Sequence, residues 1–275
     1  MSKPISNGGP RMARRALSIA IALVLFLAAG ATAQFAKPQI MDRESGFSRI
    51  MWLEDDATLY NMRWTVKRFE RDGRKFYLYD GQGDNGKSGA ERIDWTEESS
   101  VEICDSGMLR TQYWKKVSSG AEQMTWDLRY DWTAHKLSYR FEDRVAGKVE
   151  EQQIAIADDA WPGDALNFLL RGFPFERGAG YKVTGNLLMT DGSVLGGHII
   201  HHGEERIKTV FGEIDCYKLE LKPTGALGWV APDMFMWFTK AAPHCWVRYD
   251  GRDEGFIKPR TKNVLLQFEP AEAIK

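Results

Sequence analysis

Between Met124 and Phe141 apolar and polar residues alternate with a period of two. Met124, Trp126, Leu128, Tyr130 and Trp132 are separated by Thr125, Asp127, Arg129 and Asp131. Beyond Thr133-Ala134-His135 the pattern resumes, with Leu137, Tyr139 and Phe141 set against Ser138, Arg140 and Glu142. Successive side chains of a strand point to opposite faces, so this stretch predicts a hairpin with one aromatic and one charged face. The aromatic face has to be covered, either by the protein's own core or by a ligand.

The same logic extends in both directions. Residues 59–69 place Tyr60, Met62, Trp64 and Val66 on one face, and 75–79, 101–104 and 108–116 continue the strand pattern. In the last third, strands are expected at 181–189, 193–202, 206–211, 214–222, 234–239, 244–250 and 262–268, with a turn at Gly212 and another around Pro223-Thr224-Gly225. Tyr217, Leu219 and Leu221 alternate with Cys216, Lys218 and Glu220, giving a strand with one wet side. Met234, Met236 and Phe238 oppose Phe235 and Trp237, the pattern of a strand covered on both sides, which places it in the middle of the sheet. One helix is expected at 164–171. Asp158, Asp159 and the Pro162-Gly163-Asp164 turn offer capping groups, Leu166, Leu169, Leu170 and Phe173 recur at helical spacing, and Gly172 and Pro174 end the run.

The segments Gly203-Glu204-Glu205-Arg206-Ile207-Lys208-Thr209, Gly212, Asp215-Cys216-Tyr217-Lys218-Leu219-Glu220-Leu221 and Trp237-Phe238 carry a family resemblance. The stretch 164–268 resembles a group of exported bacterial proteins that share a domain of unknown function, similar in fold to the half-barrel lipoprotein carriers of the periplasm. The resemblance implies a strongly curved antiparallel sheet, a half-barrel, with the short helix packed in or over its concave face. The fold class expected is therefore mainly β.

Residues 1–33 read as a signal peptide. Arg11, Arg14 and Arg15 precede the uncharged run 16–30, and Ala31-Thr32-Ala33 is the small-x-small pattern of a cleavage site before Gln34. The apolar core is shorter than the roughly 18–20 residues of a bilayer span. Export to the periplasm or medium follows, with 34–275 as a single β-rich domain. That part holds 33 basic and 38 acidic residues, a net charge of −5 without a basic face, so nucleic acid is not an expected partner.

Chemistry-bearing clusters are few. The chain has three cysteines, Cys104, Cys216 and Cys245. A Cys216–Cys245 bond is not expected, because the strand 234–239 separates their strands by two spacings of about 4.8 Å and their side chains take different faces. The loop 80–89 places Asp80, Asp84 and Glu91 at EF-hand-like spacing, but Gln82 and Asn85 break the pattern, and a glycine-rich hairpin loop is the ordinary reading. His198, His201 and His202 form the one histidine cluster. Only His201 and His202 can meet one ion, and only if the strand ends before Gly203. No phosphate-binding loop or nucleophile elbow is present, and no cofactor is expected.

The reading is a non-catalytic, exported protein binding an apolar envelope component such as an acyl chain or lipid. Its expected lining is Trp126, Leu128, Tyr130, Trp132, Tyr139 and Phe141, with Leu166 and Leu170 from the helix. A scaffold with a filled core and an envelope protein as partner is the alternative, and a metal-dependent hydrolase at His201 and His202 the weaker one.

Overall fold

The alternating stretch forms the expected hairpin in the computed structural model, which describes residues 34–225, 233–252 and 260–274. Strands β6 (Met124–Asp131) and β7 (Lys136–Asp143) pair antiparallel, with Trp126 opposite Phe141, Leu128 opposite Tyr139 and Tyr130 opposite Leu137. Five strands precede it in a meander: β1 (Arg43–Trp52), β2 (Thr58–Arg71), β3 (Arg74–Asp84), β4 (Ile93–Ile103) and β5 (Leu109–Gly120). Beyond β7, β8 (Lys148–Ala155) forms one edge of the sheet.

The chain then leaves that edge and crosses to the other. The crossover consists of β9 (Trp161–Pro162), α1 (Leu166–Leu169) and two 3-10 turns at Leu170–Gly172 and Phe175–Arg177. A second meander follows: β10 (Lys182–Leu188), β11 (Val194–Thr209), β12 (Gly212–Pro223), β13 (Met234–Thr239), β14 (Trp246–Gly251) and β15 (Thr261–Glu269). Because β15 pairs with β1, the two meanders join into one sheet, ordered β8-β7-β6-β5-β4-β3-β2-β1-β15-β14-β13-β12-β11-β10-β9 among the described residues. Only β9 and β10 run parallel. The protein is thus mainly β and largely antiparallel, with one short α-helix among the described residues.

The crossover packs on one face of this sheet, here called the inner face, and touches the strands in turn. Asp164 accepts hydrogen bonds from Ser99 of β4 and Thr111 of β5. Phe168 meets the rings of Trp64, Tyr77 and Tyr79 from β2 and β3. Arg171 pairs with Glu44 of β1 at 2.9 Å, and Phe175 stacks on Tyr217 of β12 with ring centroids 4.2 Å apart. Phe168, Leu169 and Leu170 are almost wholly removed from water. Burying each such side chain stabilises the fold by about 1.5–3 kcal/mol, which is why so short a helix persists where isolated helices of this length do not. A second apolar cluster joins Leu128, Tyr130, Leu137 and Tyr139 of the hairpin to Leu188 of β10.

Glycines let large rings lie against the backbone on this face. Trp64 lies over Gly46, its direct cross-strand partner, and Trp95 over Gly83 in the same way, so a Cβ at either glycine collides with the indole. Such glycine–aromatic pairs restore packing that a bare glycine forfeits.

Several expectations need correction. Strand β3 runs through Asp80 to Asp84, so the loop expected at 80–89 starts later, and Asp84 caps the turn by accepting from the Gly86 amide. The expected strands 193–202 and 206–211 are one strand, β11, whose pairing shifts between His201 and Glu204, with Gly203 at φ +96°. Strand β13 is covered on both sides as expected, yet β1 occupies the middle of the sheet. The helix is shorter than 164–171, and Asp164 does not cap it; its N-cap residue is Ala165, with no side-chain bond. Cys216 is buried together with Ile214, although the alternation put it on the wet side, because in this first half of β12 the covered face is the one that carries Ile214 and Cys216, while Glu213 and Asp215 face water.

Candidate functional site

The region of the inner face that the crossover leaves open is a cleft of about 780 Å³. Period two explains its walls. Strand β2 contributes Tyr60, Met62 and Trp64, β4 Ile93, Trp95 and Glu97, β5 Trp114, Lys116 and Ser118, and β6 Met124 and Trp126. Met236, Trp246 and Tyr249 close it from the β13–β14 side, Asp164, Leu166 and Asn167 from the crossover, and Thr190 and Asp191 from the turn after β10. Five tryptophans therefore face one space.

Two carboxylates stand on the floor. Glu97 accepts a hydrogen bond from the Trp114 indole at 2.6 Å. Burial pushes its carboxyl above the ordinary range, opposed by that indole and by the charge of Lys116. Asp164 accepts from Ser99 Oγ at 2.8 Å and from Thr111 Oγ1 at 2.8 and 3.0 Å. Burial pushes it up to about 6 against the two hydroxyls, with the negative charge of Glu97 adding to the rise. Lys116 Nζ lies 5.0 Å from the Trp95 ring and 5.7 Å from Trp126, within cation–π range of both.

Residues 49–253 match a family described as a protein of unknown function, DUF3108. The chain belongs to the DUF3108 family. That match begins well before the stretch 164–268 on which the sequence resemblance rests and ends within it, at residue 253. A beta-barrel-like protein of the domain of unknown function DUF1849, from Brucella abortus, superposes with a TM-score of 0.50 at 5% identity, over 84% of this chain and 98% of its own. At that identity the likeness shows fold alone. A protein with a YmcC-like fold from Bacteroides fragilis gives a TM-score of 0.37 at 8% identity, over 86% of this chain and 99% of its own. One described as a lipoprotein, from Parabacteroides distasonis, gives 0.36 at 10%, over 86% and 99%. A search of curated proteins returns no match.

Of the eight lining residues expected in this DUF3108 chain, Trp126 and Leu166 line the cleft. Leu128, Tyr130, Trp132 and Tyr139 are buried in the hairpin's own cluster, with Phe141 packed against it, and Leu170 lies in the main core. The lining residues that sequence reasoning missed come from several strands, β2, β4 and β5 above all, and those of β4 were the best hidden. The β4 run Thr96-Glu97-Glu98-Ser99-Ser100 has no apolar alternation, so the strand was legible only from Val101 onward. The available signal was Trp95, two residues before Glu97.

The histidines separate. His201 is 3% exposed and packs among Phe173, Phe175 and Tyr217. His202 meets Glu220 at 2.6 Å and the Phe235 ring on the opposite face. Strand β11 does not end before Gly203, so the geometry required for a shared ion is not met. Among the described residues, no three His, Cys, Asp or Glu are placed to hold a metal ion. Cys104, Cys216 and Cys245 are free thiols, and burial pushes Cys216 up to about 12 and Cys245 up to about 11. At neutral pH both are protonated, small apolar side chains and poor nucleophiles.

Proposed function

We propose that the protein is exported and binds an apolar envelope component, such as a lipid or its acyl chain, in the tryptophan-lined cleft. The observation that carries this reading is the cleft itself, where Trp64, Trp95, Trp114, Trp126 and Trp246 surround a volume suited to a small ligand. Export rests on the basic, apolar and small-residue sequence of residues 1–33, a segment outside the described residues.

The reading includes a half-barrel. A sheet curled around its crossover accounts for contacts between elements far apart in strand order. Leu188 of β10 shares a cluster with Leu128 and Tyr139, and a Cβ at Gly192 would touch Tyr139 and Ile154. Curling would set the cleft on the concave side, with α1 as one wall.

The test is native mass spectrometry with lipid extraction, on protein purified from its host without detergent. A stoichiometric co-purifying lipid or other apolar molecule is the expected result. A bare chain mass, with no gain on incubation with fatty acids or phospholipids, overturns the reading. It leaves a filled scaffold with a protein partner, the alternative favoured by the dry cluster around Leu128 and Leu137.

A further inference from the structure

The cleft carries negative charge that an apolar ligand alone does not use. Glu97 and Asp164 stand half-buried on its floor, Glu122 and Asp191 lie exposed at its rim, and among the described residues Lys116 is the one cationic side chain lining it. The hydrogen-bond donors to the two floor carboxylates are neutral, an indole for Glu97 and two hydroxyls for Asp164. Among the described residues neither takes part in an ion pair, whereas Glu44 on the same face pairs with Arg171. A carboxylate drawn out of water without a paired counter-charge is costly to the fold, and the charge of Lys116 offsets that cost at Glu97 but not at Asp164. Aromatic faces beside it make the surroundings attractive to one chemical class, an organic cation.

We propose that the ligand of this cleft carries an ammonium group, held by Glu97 and Asp164 against the tryptophan faces. The inference rests on the reading of the cleft as an apolar site and names the head of the molecule whose tail that reading describes. The protein supplies an internal precedent, since the Lys116 ammonium already lies over Trp95 and Trp126. An anionic head, such as a fatty-acid carboxylate, meets four carboxylates against one lysine in the same space. Asp164, pushed up to about 6 by burial, adds a pH signature. A cation favours its ionised form, so ammonium binding weakens as pH falls through 6 and that of a neutral ligand does not.

The experiment titrates the purified protein with octyltrimethylammonium, octanoate and 1-octanol below their self-association limits, followed by tryptophan fluorescence and calorimetry at pH 7 and pH 5. The expected result is ammonium binding about tenfold tighter than octanol, and tighter still relative to octanoate, at pH 7. Glu97→Gln and Asp164→Asn are each expected to cut that advantage, read as the ratio of ammonium to octanol affinity, severalfold, with an unchanged circular-dichroism spectrum as the control for folding. Octanoate binding as tightly as the ammonium, or an advantage that survives both substitutions, overturns the proposal. Octanol binding with no ammonium advantage overturns it alone and leaves the apolar site standing. Absence of binding by all three removes the apolar site and the head-group inference together.

Discussion

Glu44 projects from the inner face of the sheet and Asp164 from the crossover packed on it, and the protein treats them in opposite ways. Glu44 lies where the crossover covers the sheet, its side chain fully buried and paired with Arg171, whose own side chain is 3% exposed. Asp164 lies where the covering stops, bonded to Ser99 and Thr111 and open to the cleft. The first arrangement neutralises a charge inside a closed interface. The second leaves one facing a space, and that space is lined by the tryptophans. The difference separates a pair that fastens the crossover to β1 from a group available to something the protein holds.

Breaking the first arrangement has the largest expected effect. Glu44→Ala leaves Arg171 with a backbone contact to Gln39 at 3.5 Å and the face of Phe168 as its remaining polar and π partners. An uncompensated buried guanidinium is expected to destabilise the protein by about 3–5 kcal/mol, read from chemical denaturation. Replacing both partners by methionine is expected to cost far less, because no charge is then stranded. A double variant as unstable as Glu44→Ala would mean that the pair matters for shape rather than charge.

Next comes the packing under the crossover. Leu170→Ala empties a position that is fully buried in the main core and is expected to cost about 2–5 kcal/mol. Sequence reasoning placed Leu170 among ligand contacts, so the variant also discriminates between the two roles. A core residue changes the unfolding midpoint, whereas a lining residue changes affinity at nearly constant stability.

That contrast shows what the sequence carries. Period two made most strands legible, and the hairpin forms as the alternation predicts, although its turn begins at Trp132, because Trp126, Leu128 and Tyr130 need a common face whatever covers it. Which aromatic faces are filled was not legible. Leu128 and Tyr139 are covered by Leu188, a residue from the far edge of the sheet, and no local pattern encodes a partner that distant. Trp95 and Glu97 were hidden for a related reason. A strand that lines a polar-floored cleft is released from the apolar alternation that betrays a core strand, so the part of the sheet carrying the site reads least like one. Gly203 misled in its own way: it looked like a strand end, and it marks a pairing shift within β11.

The second arrangement is expected to show in pH dependence. The carboxyl of Asp164 is raised from its ordinary 3.8 to about 6, so the folded state binds its proton more tightly than the unfolded state does. Its contribution to stability is full below about 4 and is lost as pH rises through about 6. Asp164→Asn keeps an acceptor oxygen for Ser99 and Thr111 and removes the titration. The variant is expected to gain about 1–2 kcal/mol on the wild type between pH 4 and pH 7, after allowance for solvent screening at a half-buried site. Parallel stability profiles for the two proteins over that window would show that Asp164 ionises there at no cost, and the argument for an uncompensated charge would fail.

The smallest expected effect on stability belongs to Trp126, and it is the sharpest test of the two regions. Its ring is half-buried, tilted against Phe141 at 5.2 Å, and faces the cleft beside Lys116. Trp126→Ala removes one aromatic pair and part of one wall, at an expected cost of about 1 kcal/mol, well below that of Leu170→Ala. Affinity for an apolar ligand is expected to fall about tenfold, since a wall ring in a cleft loses contact area that nothing else on that side replaces. The hairpin thus divides between its ends. Leu128 and Tyr130 point into the dry cluster, while Trp126, one alternation earlier on the same face, borders the open space. Equal stability losses at Trp126 and Leu170, with ligand affinity unchanged, would mean that the hairpin face is core along its whole length and that the wall at β6 has no part in binding.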